Sequence, residues 1–312
     1  MIHLDFDAIH RLVRVADLIA PIREAFGGEA CVPPRAHHEI EVPDGAAGTL
    51  LLMPAWRANR FLGVKIATVF PDNSLRSIPT VMAQYLLLSS TTGEAHALLD
   101  GRALTLLRTA AVSGLAADYL ARRDVRCLLM VGTGDLAPYL IEAHTQVRKF
   151  ERVLIWGRDA GKANKLAIEM ARRGMPATAA TDLESAAREA DVVSCATLSS
   201  APLVHGAWLK SGTHLDLVGS FRPGMRETDD EAMRRARIVT DSALAIEESG
   251  DLCQPIRAGV LRADTIGMLS DLVRGIGVEP RATHDITLFK SVGTALSDLA
   301  AAEFILSKAS AR

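Results

Sequence analysis

Apolar and polar residues follow two different patterns, which change at about residue 125. Before that point, short apolar runs separated by turn residues are typical of antiparallel β-strands, and Thr92-Gly93 indicates a hairpin. A stretch rich in Ala and Leu then predicts a helix over 101–122. The strands predicted in this first part cover residues 39–42, 48–53, 61–69, 80–89 and 94–100.

After residue 125, apolar runs alternate with helical stretches, which is the βαβ pattern of a parallel sheet. The predicted strands cover 153–156, 192–196, 214–218 and 238–240, and the helices between them include 163–173 and 183–190. Residues 286–308 resemble one long amphipathic helix, interrupted only by Gly293, which we expect to return to the first domain. The domain junction is predicted near Arg122, Arg123 and Asp124.

The segment 125–137, VRCLLMVGTGDLA, predicts a dinucleotide-binding turn between a strand and a helix. Gly132 allows the tight turn, Gly134 lets a pyrophosphate approach the backbone, and Ala137 lets the helix pack close to the strand. The phosphates are expected at the N-terminus of a helix over about 137–145, where free N–H groups favour anions. The candidate contacts in this turn are Gly132, Thr133, Gly134, Asp135, Leu136 and Ala137.

The end of the next strand, 152–156, bears on the choice of cofactor. An NAD-preferring site usually has a carboxylate here for the ribose 2′-hydroxyl, but this chain has Gly157. Arg158 and Lys162 are suited to pair with a 2′-phosphate, which favours NADP(H), with NAD(H) possible. Asp159 weakens this argument because it is close enough in sequence to reach the ribose, and Arg158 has the alternative of being a solvated turn residue.

The composition favours small-molecule chemistry. The chain has 312 residues with 35 basic and 37 acidic side chains, so it offers no strongly charged surface for nucleic acid or an anionic membrane. A hydrophobic content of 49% is enough for a large core in one or two domains. The N-terminus lacks an apolar signal segment and no stretch is as long as a membrane span, so we expect a cytoplasmic protein.

No metal site is predicted. The four cysteines lie far apart without a C-x-x-C pair, and we expect reduced, mostly buried thiols. His37 and His38 are adjacent, but neighbouring residues of an extended segment point to opposite faces.

Three cations in the first domain are candidate binding residues: Arg35, Lys65 and Arg108. Lys65 interrupts an apolar strand, so its amine either reaches solvent at an edge or lies in a pocket where desolvation lowers its pKa. Arg108 lies in an Ala- and Leu-rich helix, where its guanidinium has the alternative of extending along the apolar surface to water. The residues alone leave both alternatives open.

Five motifs together make the chain similar to the ornithine cyclodeaminase/mu-crystallin family. They are PPR at 33–35, GVK at 63–65, LTLLRTAAVS at 104–113, GTGDLA at 132–137 and FKSVGTALSDLAAA at 289–302. The resemblance implies an α/β fold with a Rossmann NAD(P)-binding domain and an α+β substrate-binding and dimerisation domain. We assign 123–285 to the first and 1–122 plus 286–312 to the second, and expect a homodimer.

The resemblance also implies roles for the three cations. Arg35 and Arg108 correspond to arginines that bind a substrate α-carboxylate, a task suited to bidentate guanidinium pairs. Lys65 corresponds to the lysine beside the reacting C–N centre, where it can hold or deliver a proton as hydride moves. Thr109, next to Arg108, is included as a substrate-binding candidate.

One position helps to choose among the family's reactions. Cyclodeaminases of this family have an aspartate before a Pro-Gly pair, where this chain has Phe221. A phenyl ring cannot accept a proton, so the segment 218–227 is more similar to the family's imine reductases. These reduce Δ1-pyrroline-2-carboxylate to proline or Δ1-piperideine-2-carboxylate to pipecolate. The alternatives are ornithine cyclodeaminase, alanine dehydrogenase, and a mu-crystallin-like protein that binds NADPH and a ligand without turnover.

Further nucleotide contacts are predicted from the position of residues in a Rossmann fold. They are Thr197, Gly219, Ser220, Ser291 and Val292. Each is equally explained by local capping or packing.

Overall fold

Two sheets organise the protein, whose computed structural model describes residues 1–277 and 282–311. In chain order the strands are β1 Ile2–Leu4, β2 Ala36–Ile40, β3 Gly48–Trp56, β4 Phe61–Val69, β5 Val81–Ser89, β6 Ala95–Asp100, β7 Cys127–Val131, β8 Arg152–Trp156, β9 Ala177–Ala179, β10 Val192–Cys195, β11 His214–Leu217, β12 Ala236–Thr240, β13 Gly267–Met268 and β14 Ile286–Lys290. The helices are α1 Phe6–Leu12, α2 Val15–Gly27, α3 Gly101–Leu120, α4 Ala137–Val147, α5 Ala160–Arg172, α6 Leu183–Glu189, α7 Asp230–Arg235, α8 Ala245–Glu248, α9 Gly250–Arg257, α10 Leu269–Arg274 and α11 Ala295–Ser310. Short 3₁₀ helices lie at Pro71–Arg76, Gly206–Trp208 and Ala263–Thr265.

The chain divides into two units, one made of residues 1–109 and 294–312 and the other of 110–293. The first of these boundaries falls inside α3. The domains predicted from the sequence, 1–122 with 286–312 and 123–285, stay a prediction. Within those ranges, residues 278–281 and Arg312 lie outside the described residues. No helix in the described ranges is both long and apolar enough to cross a membrane.

The first unit contains a sheet in the order β1-β6-β5-β4-β3-β2, as far as the described residues show. The pairs from β2 to β6 are antiparallel, as predicted, and β1 adds a parallel edge strand. Alternate residues of β4 are buried, including Gly63, Lys65 and Ala67, and α11 packs against β3, β4 and β5. The alternation therefore places Lys65 on the side of the sheet that faces the core of this unit.

The prediction for the edge strand β2 differs in detail from the structure. β2 begins before the predicted 39–42 segment and lies at the sheet edge, where most of its residues are exposed. The predicted hairpin between β5 and β6 is present, and Gly93 has a φ of 74°, in the left-handed region that favours glycine.

The second unit contains a sheet whose described strands are all parallel, in the order β13-β12-β14-β11-β10-β7-β8-β9. All residues of β7, β10, β11 and β14 are buried, as expected for parallel strands covered on both faces. The order β9-β8-β7-β10-β11 matches the 3-2-1-4-5 order of a Rossmann fold, with its switch point between β7 and β10. The predicted α/β fold class is confirmed.

The long C-terminal helix predicted over 286–308 is wrong in its first part. Ile286–Lys290 forms β14, which lies between β11 and β12. Gly293 has a φ of 79°, and α11 begins only after Thr294, whose side chain accepts a hydrogen bond from the N–H of Leu296. The error has a physical basis, because periodicity alone does not distinguish a short, fully buried strand from a buried helical turn.

Candidate active site

The turn after β7 has the geometry expected of a dinucleotide-binding turn. Gly132 has a φ of 121°, and a Cβ there would lie 2.6 Å from the carbonyl oxygen of Ala196. A Cβ on Gly134 would meet nothing within 4 Å, so its backbone is open to a ligand. Helix α4 begins at Ala137, which is fully buried. The N-terminus of this 11-residue helix therefore follows an accessible backbone, which fits a pyrophosphate.

Seven of the predicted cofactor residues line one cavity of about 380 Å³ in the second unit. The cavity lies at the carboxyl ends of β7, β8 and β10, where open α/β sheets bind ligands. Leu198, which was not predicted, lines it as well and is largely exposed. The seven residues are Gly132, Thr133, Gly134, Gly157, Arg158, Lys162 and Thr197.

The segment directly after β8 contains two cations, Arg158 and Lys162. Its first residue, Gly157, has no side chain that could accept a hydrogen bond. A Cβ on Gly157 would lie 2.7 Å from Cγ2 of Thr133, so a larger residue would displace that side chain. Asp159 caps α5, and its Oδ1 accepts a hydrogen bond of 3.0 Å from the N–H of Lys162. Arg158 and Lys162 are exposed, and neither side chain forms an ion pair within the described part of the chain.

Four other residues that were predicted to contact the cofactor form hydrogen bonds or packing contacts within the protein. The hydroxyl of Ser220 is buried and donates to the carbonyl oxygen of Met225. Ser291 donates from its hydroxyl to Oδ2 of Asp241, whose Oδ1 accepts from the N–H of Val292 at 3.1 Å. Gly219 is packed against the backbone of Thr197. The structure therefore assigns local interactions to these residues, and their contact with a cofactor stays a prediction.

The two remaining residues of the glycine turn lie at its surface. Asp135 is exposed, and Leu136 is half-buried immediately before α4. Phe221 is 43% exposed, and the guanidinium of Arg222 lies 5.7 Å from its ring centroid.

In the first unit, Lys65 and Arg108 both contact a residue that was not predicted from the sequence. Asp298, in α11, is fully buried and lies between the two cations. Its Oδ2 is 2.8 Å from Nζ of Lys65, and its Oδ1 is 2.8 Å from Nε of Arg108. The sequence did contain a signal for this residue, because Asp298 is the single carboxylate within the motif at 289–302.

Burial decides which of the two alternatives for each cation holds. Lys65 and Arg108 are 4% and 5% exposed, so neither side chain extends into solvent in this unit. Burial lowers the pKa of Lys65 to about 8, against the opposing effect of Asp298, and the charges of Arg108 and Arg35 lower it further. Arg35 is half-buried, and its charge acts on Lys65 more weakly than that of Arg108. Thr109 is buried directly after Arg108.

Two further pKa shifts describe the electrostatics of this cluster. Burial acts to raise the pKa of Asp298, but Arg108 and Lys65 outweigh it and hold that pKa below its usual range. Burial raises the pKa of Tyr85 well above its ordinary value, and Asp298 adds to this effect. With Asp298 ionised and both cations charged, the cluster has one positive charge in excess, which favours an anionic ligand.

No three His, Cys, Asp or Glu side chains of residues 1–277 and 282–311 form a group that could hold a metal ion.

Comparison with known proteins gives the chain its family. Residues 2–312 match the model of the ornithine cyclodeaminase/mu-crystallin family. The chain is 40% identical over 282 residues to Protein SAR DEFICIENT 4 of Arabidopsis thaliana, covering 88% of this chain and 86% of the relative. It is 34% identical over 309 residues to the Δ1-pyrroline-2-carboxylate reductase of Colwellia psychrerythraea, covering 97% of each.

A solved structure agrees with these matches. The Δ1-pyrroline-2-carboxylate reductase of Thermococcus litoralis, in complex with NADH and L-proline, superposes with a TM-score of 0.93 at 32% identity. The match covers 100% of this chain and 98% of that one. The prediction from the sequence motifs is confirmed: the chain belongs to the ornithine cyclodeaminase/mu-crystallin family.

Proposed function

We propose that the chain is an NAD(P)H-dependent reductase of cyclic imino acids. Its substrates are Δ1-pyrroline-2-carboxylate, which gives L-proline, and Δ1-piperideine-2-carboxylate, which gives L-pipecolate. The observation that carries the proposal is the buried cluster of Lys65, Asp298 and Arg108. It combines a cation for a carboxylate with an amine whose pKa is close to neutral pH, and a cyclic imino acid needs both.

Arg108 and Arg35 bind the carboxylate of the substrate in this proposal. Asp298 contacts Nε of Arg108, so the guanidinium is held in orientation while its terminal nitrogens remain available for a planar, bidentate pair. Because Arg108 is almost fully buried, its interaction with an anion is screened less than it would be at the surface.

Lys65 supplies the proton. A bound nicotinamide would supply hydride to C2 of the C=N bond, and the electron pair of that bond would then move to nitrogen. The ammonium of Lys65 donates a proton to this nitrogen, either directly or through a water that it orients, which yields the secondary amine. With a pKa of about 8, Lys65 is mostly protonated at neutral pH and is still a competent acid.

Phe221 argues against the cyclodeaminase alternative. Ring closure of ornithine requires a base for the side-chain amine, and the phenyl group of Phe221 accepts no proton. Alanine dehydrogenase activity shares the hydride step and differs in needing free ammonia and pyruvate. A binding protein without turnover gives no reason for a buried lysine with a lowered pKa, so an enzyme is favoured.

NADP(H) is the preferred cofactor in this proposal, and NAD(H) is the possible alternative. Arg158 and Lys162 are exposed cations at the cavity, and Asp159 has one carboxylate oxygen engaged in capping α5. Gly157 provides no carboxylate to repel a 2′-phosphate. A second cation beside Arg158 also favours the doubly charged 2′-phosphate over a neutral hydroxyl.

A homodimer is proposed from one face of the first sheet. Residues of β3, β4 and β5 that alternate with the buried ones are mostly apolar and half-buried or exposed. Ile66 is 40% exposed and Met82 is 45% exposed on neighbouring strands. An extended apolar patch of this kind is typical of an interface, and a two-fold axis would place it against its own copy. We place this dimer in the cytoplasm, as the sequence predicts.

The test is NADPH oxidation, followed by absorbance, with Δ1-pyrroline-2-carboxylate as substrate. Ornithine with NAD is assayed in parallel with proline as the readout, and pyruvate with ammonia and NADH tests the dehydrogenase alternative. We expect rapid oxidation with the imine and no proline from ornithine. Proline from ornithine would mean that another residue accepts the ring-closing proton, and no turnover with any substrate would favour the binding protein.

A further inference from the structure

A buried carboxylate links two of the loops at the carboxyl edge of the Rossmann sheet. Glu227 is fully buried, and its Oε1 accepts hydrogen bonds from the backbone N–H of Thr197 at 2.7 Å and from the Thr197 hydroxyl at 2.9 Å. Its Oε2 accepts a hydrogen bond of 2.7 Å from the N–H of Gly219. Thr197 follows β10 and lines the cavity, whereas Gly219 follows β11.

The loop after β10 and the loop after β11 are closely packed at Thr197 and Gly219. A Cβ on Gly219 would lie 2.0 Å from the carbonyl oxygen of Thr197 and 2.4 Å from both its nitrogen and Oε1 of Glu227. The carboxylate therefore sets the position of Thr197 through two donors and that of Gly219 through a third. All three partners are donors, so the arrangement is complementary to an ionised carboxylate.

Buried charges surround Glu227. Asp251, in α9, accepts hydrogen bonds with its Oδ1 from the N–H groups of Glu227 at 2.8 Å and Thr228 at 3.1 Å. Lys290, at the end of β14, is fully buried with Nζ 3.5 Å from Oδ2 of Asp251. Cys195 lies at the end of β10. Burial, together with the charge of Glu227, raises the pKa of its thiol well above the ordinary value.

These surroundings make the charge of Glu227 sensitive to pH. Burial raises the pKa of Glu227 to about 7, with Asp251 adding to the effect and Lys290 and the Thr197 hydrogen bonds opposing it. A protonated Glu227 is a weaker acceptor than the carboxylate and has a hydroxyl group that donates, so its hydrogen bonds from the three present donors are weakened.

We propose that Glu227 is a positioning residue for the dinucleotide: its ionised carboxylate holds Thr197 in the wall of the cavity, and its protonation weakens dinucleotide binding. The inference rests on the proposed function only in taking this cavity as the NAD(P)H site. It adds that affinity for the cofactor depends on pH through a residue that does not line the cavity.

The experiment measures NADH binding by nucleotide fluorescence at pH 6, 7 and 8. NADH is chosen because it has no 2′-phosphate that titrates in this range. If only the form ionised with a pKa of about 7 binds well, wild-type affinity falls about tenfold from pH 8 to pH 6. Glu227→Gln places an amide NH₂ against donor groups, so we expect a Kd about tenfold higher at pH 8 and no dependence on pH.

Glu231→Gln is the matched control, because Glu231 is on α7 and pairs with Arg234 away from the carboxylate cluster. This variant should bind NADH with wild-type affinity and wild-type pH dependence. A flat pH profile for the wild type would overturn the inference without any variant having to fold. So would a Glu227→Gln protein that keeps both the affinity and the pH dependence. Failure of the proposed function is distinct, since the wild type would then show no oxidation of NADPH with the imine, whatever its affinity for NADH at these pH values.

Discussion

Asp298→Asn separates the electrostatic role of Asp298 from its role in stability. The carboxylate is 2.8 Å from Nζ of Lys65 and raises the pKa of that amine against the effect of burial. A hydrogen bond to a charged group contributes about 1.5–3 kcal/mol, which corresponds to about 1–2 pK units. In the variant we therefore expect the pKa of Lys65 to fall from about 8 to about 6–7.

The consequence is a loss of activity that depends on pH. At pH 8 the protonated fraction of Lys65 would fall from about one half to about 1–10%, so kcat/KM for the imine should fall about 5–50-fold. At pH 6 about half or more of the amine is protonated, and the variant should approach wild-type kcat/KM within about twofold. The measurement is the ratio of kcat/KM of the variant to that of the wild type from pH 6 to pH 9.

The control is a second carboxylate of the same helix. Glu303 is 8% exposed and lies 2.7 Å from the half-buried Arg57, so Glu303→Gln also breaks a largely buried ion pair, and Glu303 does not contact Lys65. Removing one partner of such a pair costs about 3–5 kcal/mol, so both variants should lower Tm. Only Asp298→Asn should change the pH profile. An activity loss that is equal at pH 6 and pH 8 would refute the reasoning.

Three further predictions test the remaining roles. Lys65→Met should lower kcat about 10²–10⁴-fold while the Kd for NADPH stays within about twofold, and full activity would exclude a catalytic role. Arg158→Ala should raise the Kd for NADPH about 10–100-fold through one lost charge-assisted hydrogen bond, whereas equal losses for NADPH and NADH would argue against a 2′-phosphate contact. Ile66→Asp should convert a dimer to a monomer by light scattering, with Ile168→Asp, an exposed position of α5, as the control that stays dimeric; a dimer in both would place the interface elsewhere.

The parts of the fold that the sequence predicted are those with a strong local signal. β4 begins and ends where the apolar run does, and the glycine turn leads into α4 at Ala137 as the spacing of small residues requires. β14 was missed because five buried apolar and polar residues have the same pattern in a strand as in a helix. Strands as short as β1 and β13 have too few residues for any periodicity to be seen.

The residues of the candidate site also fall into two groups, those with a local signal in the sequence and those without one. Glycine spacing, cations in apolar segments and the change at Phe221 are local features of the chain, and they are sufficient to predict a dinucleotide-binding fold and a family. The roles of Asp298 and Glu227 depend on partners far along the chain, since Asp298 contacts Lys65 and Glu227 contacts Thr197.

The sequence by itself therefore determined the fold class, the glycine turn and the types of residue available for chemistry. Only the tertiary structure decided the state of those residues. It buried Lys65 rather than leaving its amine in water, and it placed Asp298 against Lys65 and Arg108. The physical reason is that desolvation and pairing depend on distance in space, and the pattern along the chain contains no information about which distant residue supplies the opposite charge.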